Sequence, residues 1–168
     1  MALTTTIDLS IVAALTSALD LSTPADTLTY PKRISLSSGT GSSAADMLWH
    51  DQRTLTASAT EDLDLAGVLT GTLSGAALTF ARIKGLLVVG ATGNTNNVNV
   101  TRPASNGVPL FLAAGDGIPV KPGGMFLWIA PDSTGIAVTA GTGDLLTFTN
   151  SAGSTSVTYD VVIIGASA

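Results

Sequence analysis

The chain has 168 residues, 45% of them apolar and 11% charged, with a net charge of −5 and no cysteine. A length of this order fits one domain, which buries roughly 70% of the surface its unfolded chain exposes. The lack of thiols excludes a disulfide framework, a thiolate zinc site and a cysteine nucleophile. Seven scattered basic residues make no stripe able to neutralise a phosphate backbone, so nucleic acid is not an expected partner.

Thr (24), Gly (18) and Ser (16) together exceed a third of the chain. Thr favours pleated structure and Gly supplies turns, so the composition predicts β-sheet. A surface solvated by hydroxyls rather than charges is easily desolvated, and low charge promotes association; the expected setting is an assembly. The apolar runs Gly85 to Gly90 and Val161 to Gly165 fall far short of the roughly 20 residues of a membrane-spanning helix, so no membrane partner is expected. Met1 to Thr6 lacks the basic start and apolar block of a signal peptide, which predicts synthesis in a cytosol.

In chain order, Ile11, Val12, Leu15, Ala18 and Leu19 fit helical spacing, whereas Ile7, Leu9 and Ile11 alternate as a strand does. Both readings stand for this stretch. Tyr30 to Leu36 reads as a strand, with Pro31 at an edge or at the strand start, and Ser37 to Ser43 as a flexible loop. Asp46 to Thr56 places Met47, Trp49 and Asp51 on one face of a strand and Leu48, His50 and Gln52 on the other. Neither face is wholly apolar. Residues 1–58 are therefore taken as an N-terminal arm or edge section, holding a short helix or strands, and residues 59–168 as the core domain.

Within that core, Glu61, Leu63 and Leu65 alternate with Asp62 and Asp64. Leu78 to Val89 reads as one long strand whose phase slips between Phe80 and Ile83, so a bulge is expected near Ala81 or at Gly85. Gly90 to Asn97 is a turn-rich loop, and Val98 with Val100 a strand ended by Pro103. Leu110 to Leu112, Ile118 to Val120, Met125 to Ala130, Ile136 to Thr139, Leu145 to Thr149 and Ser156 to Ile164 are further strands. Pro131 to Gly135 closes a turn in which proline presets φ and glycine takes the positive φ. Short strands at this spacing predict an all-β fold, an antiparallel β-sandwich or jelly-roll-like barrel with an N-terminal arm.

Several of these segments are similar to a known family. Glu61 to Thr70, Leu78 to Lys84, Val120-Lys-Pro-Gly-Gly124, Ala130-Pro-Asp-Ser-Thr-Gly135, Gly143-Asp-Leu-Leu146 and Val157 to Gly165 resemble small β-rich proteins encoded among the virion-structure genes of tailed bacteriophages and prophages. The resemblance covers residues 55–168. It implies a structural part of a virion, assembled in the host cytoplasm. A compact β-protein with an arm looks like a capsid decoration, or cement, protein, which sits as a homotrimer on the head and clamps the major capsid protein. The alternative is a tail or adsorption module that binds a host receptor.

Chemistry-bearing residues are sparse. His50 and Asp51 are neighbours, but on a strand they address opposite faces, and no G-x-S-x-G elbow supplies a serine nucleophile; no enzyme is expected. Glu61, Asp62 and Asp64 offer the oxygen ligands that Ca²⁺ takes without the spaced loop that fixes a site, so neither metal nor cofactor is expected. A solvated acidic strand face is the preferred reading, and pairing of the same face with Arg or Lys of a neighbouring subunit is the alternative. The interface is accordingly expected at Ile7, Leu9, Ile11 and Leu15 of the arm, at Trp49, and at Asp62 and Asp64. Trp128 reads as a core or subunit-contact aromatic. Exposed loop tips are expected at Asn94, Asn96, Asn97 and Asn106, where a receptor would bind.

Overall fold

The computed structural model describes residues 2–71 and 73–168. Among them the chain is all β, with fourteen strands and no helix. The first two, β1 (Thr5–Thr16) and β2 (Ala25–Ser38), pair antiparallel without a register break, from Thr5 opposite Leu36 to Thr16 opposite Ala25. At ~3.4 Å per residue the ribbon is roughly 40 Å long. Alternation thus prevails over the helical spacing at Ile11 to Leu19. Pro31 sits inside β2, where a two-stranded ribbon leaves each strand an open edge that tolerates it.

The sandwich is built from β4 (Met47–Leu55), β5 (Thr60–Asp64), β8 (Arg82–Gly90), β9 (Val98–Thr101), β10 (Gly117–Val120), β11 (Met125–Ile129), β13 (Leu145–Asn150) and β14 (Val157–Ala166). One sheet runs β11-β8-β14-β4 and the other β10-β9-β13-β5, all neighbours antiparallel. The pairings are nested: β4 with β14, β5 with β13, β8 with β11, β9 with β10. First with last and so inward is the topology of a jelly roll. The two sheets stay open at their edges, so the architecture is a sandwich and not a closed barrel. Small additions are β3 (Ala44–Ala45) parallel to the end of β2, a β6 (Ala66–Thr70) and β7 (Ala77–Thr79) hairpin, and β12 (Ile136–Ala137), which extends the edge held by β11.

The core lies between the sheets. Val157, Tyr159, Val161 and Ile163 of β14 are fully buried, as are Val98 and Val100 of β9 and Leu146 and Phe148 of β13. Fully burying one such aliphatic or aromatic side chain contributes about 1.5–3 kcal/mol. Phe148 and Tyr159 stack across the layers with centroids 4.9 Å apart and planes 10° from parallel, an arrangement worth ~0.5–1.5 kcal/mol beyond area.

Several sequence expectations are revised. The sandwich already includes β4, so the division from the N-terminal section falls before Met47 rather than near residue 58. The expected strand from Leu78 to Val89 is two strands, because Phe80 and Ala81 carry the chain from the β6–β7 hairpin into the main sheet. Leu110 to Leu112 is a turn, not a strand. The phase slip is a bulge at Lys84: Gly85 faces Ile164, and Ile83 faces the very next residue, Gly165. One extra residue is what lets Ile83 and Leu86, three apart, both point into the core. Gly165 is required there, since a Cβ would lie 2.4 Å from the Arg82 carbonyl oxygen and 2.5 Å from Cδ1 of Phe80.

Candidate functional site

The bulge buries the Lys84 side chain completely. Its Nζ donates to the carbonyl of Gly41 at 3.2 Å and to that of Asp132, so a cation pins the loop after β2 to the turn after β11. Burial lowers the Lys84 pKa, a shift that the Asp132 charge opposes. In that turn Asp132 Oδ1 accepts from the Thr134 hydroxyl and from the amides of Gly135 and Thr134 at 2.6–2.7 Å. These bonds hold its carboxyl down at about 2. Gly135 has φ +55°, as the turn reading of Pro131 to Gly135 expects.

A polar network closes the open edge between β4 and β5. Arg53 Nε and a terminal nitrogen donate to Glu61 Oε2 at 2.7 and 2.5 Å, its other terminal nitrogen donates to Asp51 at 2.9 Å, and the Tyr159 hydroxyl donates to Glu61 Oε1 at 2.6 Å. Burial raises the Glu61 carboxyl, but the bonds from Arg53 and Tyr159 outweigh it and hold it below the usual range. Burial, then the Glu61 bond, push the Tyr159 phenol up. A shallow hollow of about 400 Å³ nearby is lined by His50, Asp51, Arg53, Asp62 and Asp64 among others.

This hollow holds no assembled acid–base pair. His50 is exposed opposite Val162 on the outer face of β4, while Asp51 is tied to Arg53. Asp62 accepts from the Thr147 hydroxyl and Asp64 caps the Ala66 amide at 2.8 Å. Among the described residues, no three His, Cys, Asp or Glu side chains converge as a metal site does. Asp62 stays exposed on the outer face of β5, and Asp64 is half-buried.

Other expected contact residues part company. Trp49 is 5% exposed within the core, so it does not sit at a subunit surface; on β4 it faces inward between Met47 and Asp51, and the alternation alone did not say which face was in. Trp128 packs against the same core. Asn94, Asn96 and Asn97 are half-buried rather than exposed tips. Asn94 Nδ2 donates to the Thr158 carbonyl at 2.8 Å and its Oδ1 accepts from the Thr158 amide at 2.9 Å. Asn96 donates to Asn150 and Thr155, and the Asn97 amide donates to Ser151 Oγ. Asn106 is exposed at φ +57°, and its carbonyl accepts from the amides of Asp144 and Leu145.

The arm residues Ile7, Leu9, Ile11 and Leu15 do come together. Paired residues of an antiparallel ribbon share a face, so these four line up with their register partners Ile34, Lys32, Tyr30 and Asp26, and Ala13 with Leu28 joins them. The other face is mostly polar, carrying Thr6, Asp8, Ser10, Thr27, Thr29, Arg33 and Ser35 with Val12, Ala14 and Pro31 among them, and an Asp8–Arg33 ion pair of 2.6 Å. At the root the apolar face is covered: Leu36 is buried with Ala45 and Ile164, and Leu3, Ile7, Ile34 and Val162 pack around them. Beyond it nothing covers Leu15, which is 75% exposed, or Leu28 and Tyr30, each 52%.

Between the arm root and the outer face of β11-β8-β14-β4 runs a groove of about 660 Å³, its floor formed by Leu48, Leu87, Met125, Leu127 and Val162. This face of the ribbon and the groove beneath it are the surface on which the molecule departs most from a self-contained domain. The sequence matches no family model, no curated protein and no solved structure.

Proposed function

We propose that this chain is a bacteriophage virion structural protein of the capsid-decoration kind, whose jelly-roll body rests on the major capsid shell and whose arm reaches a neighbouring subunit. The observation that carries this reading is the arm. A two-stranded ribbon standing alone is at best marginally stable in water, and this one displays an apolar face along its outer half. Such a face is buried when the chain sits among others in an assembly. The resemblance over residues 55–168 supplies the virion setting. The jelly-roll topology is compatible with it and with many other roles, since a fold does not imply a function.

A few contacts per copy suffice in a repeated array, because neighbouring attachments add through effective concentration. The adsorption alternative asks for free loop tips, and it is weakened by the side chains of Asn94 and Asn96, which are committed to internal hydrogen bonds. Imaging of virions that carry this protein tests the proposal. Repeated density over the shell is expected; density confined to the tail, or none on the particle, overturns it.

A further inference from the structure

We infer that the partner of the arm is a second copy of this chain, its arm laid antiparallel and face to face on the first about a two-fold axis. Only two charged residues lie on the apolar face, and they have opposite signs: Lys32 beside Leu9 and Asp26 beside Leu15. The midpoint between them along the ribbon is the Val12–Thr29 pair. A two-fold axis there, in the plane of contact, sets Lys32 of each copy against Asp26 of the other. The same operation sets Tyr30 against Leu28, Ile11 against Ala13 and Leu9 against Leu15, so apolar side chains meet apolar ones and the two largest mismatches in size, Tyr30 with Leu28 and Ile11 with Ala13, each pair a larger with a smaller. Such self-complementarity is what a two-fold, isologous contact requires.

The groove supplies a second argument. With that register, the stretch from Leu3 to Ser10 that walls the groove, the start of β1 and the two residues before it, lies opposite residues 14–21 of the second copy. The tip of the second arm, where Leu19 is 60% and Leu21 fully exposed, then enters the groove over Leu48, Leu87, Met125 and Leu127. Face and groove thus share one occupant, and each copy gives and receives an arm. The two sheets of side chains meet at the roughly 10 Å spacing of packed β-layers. The expected homotrimer has no counterpart in this pairing, which joins copies by twos.

The contact uses fewer residues than the 20–30 a side of a standard interface, so a dissociation constant on the order of micromolar is expected. Sedimentation of the full chain from micromolar concentration upward tests it. The wild type is expected to pass from monomer to dimer, and Lys32→Asp or Asp26→Lys alone to weaken pairing at least about tenfold, since each sets like charges together twice. An equimolar mixture of the two variants restores both ion pairs and is expected to recover the dimer. Leu21→Asp weakens pairing without touching the charges. A monomeric or trimeric wild type, or a mixture that stays monomeric while both variants keep the wild-type melting temperature, overturns the inference. The inference does not rest on the shell-binding proposal: dimers in solution with no density on the shell sink only that proposal, and shell density from a monomeric chain sinks only this one.

Discussion

The Tyr159 hydroxyl, on the central strand β14 of one sheet, donates a 2.6 Å hydrogen bond to the Glu61 carboxylate, on the edge strand β5 of the other. Arg53 of β4 holds the second oxygen of that carboxylate. The consecutive strands β4 and β5 are thereby fixed to β14, far off in sequence, at the edge where a sandwich, unlike a barrel, is open. Donors occupy both oxygens of the Glu61 carboxylate, so the network fastens the two sheets together at this edge.

Tyr159→Phe leaves a half-buried carboxylate short of one donor, at a cost of about 1–3 kcal/mol. At roughly 2–4 °C per kcal/mol for a domain of this size, a clear drop in Tm is expected, and an unchanged Tm would show the bond to be idle. The pH dependence has a definite sign. Because the Glu61 carboxyl is held below its ordinary value of 4.5, its contribution is fully present above that value and is lost as pH falls through the depressed one. Denaturant midpoints followed from pH 6 downward should therefore fall more steeply for the wild type than for Glu61→Gln.

Lys84→Met keeps an unbranched chain one atom shorter and removes its two carbonyl contacts. Replacing a buried cation by an apolar chain can be neutral when its partners are also replaced, but here the Gly41 and Asp132 carbonyls remain. A loss of about 1–3 kcal/mol is expected, together with faster amide hydrogen exchange in residues 39–43 and 131–135. Equal protection in both proteins would show that the loops hold without the lysine.

Asn94→Ala distinguishes a structural from a receptor-binding loop. Its two bonds to the Thr158 backbone contribute about 0.5–1.5 kcal/mol each. Lower stability with unaltered association is the expected result. Full stability with impaired attachment to cells would instead favour the adsorption reading.

Much of this fold was legible because its strands alternate and its turns carry Gly and Pro. The Leu145 to Thr149 and Ser156 to Ile164 segments appear as β13 and β14 with small shifts at their ends. The misreadings share a physical origin. Leu110 to Leu112 has strand-forming residues but three are too few to overrule a turn, and Leu78 to Val89 hid a change of sheet at Phe80–Ala81 that periodicity reads as a slip. Local patterning also cannot say which face of β4 is inward, which decides the place of Trp49. The asparagines at 94 to 97 look like a solvated loop because their partners, Asn150 to Thr158, lie more than fifty residues away. The ribbon, by contrast, was half visible: odd positions from Ile7 to Leu15 and even positions from Leu28 to Leu36 alternate in phase, and the chain reverses between them at Asp20 and Leu21.

The outer arm is expected to be dispensable for folding of the body. From Ser10 to Pro31 every residue is exposed, and the covered part of the apolar face ends at the root around Ile7 and Ile34. Joining Leu9 to Lys32 by Asn-Gly, a pair suited to a two-residue hairpin, removes the outer ribbon and leaves the root packing in place. At a concentration where the full chain is monomeric, its Tm should match that of the shortened protein within about 2 °C, since exposed positions contribute little to stability. A large loss would mean that the ribbon supports its own body. At higher concentration the full chain alone should gain stability, because a partner that binds the folded state raises its apparent Tm by mass action; an equal rise in the shortened protein would place self-association elsewhere on the surface.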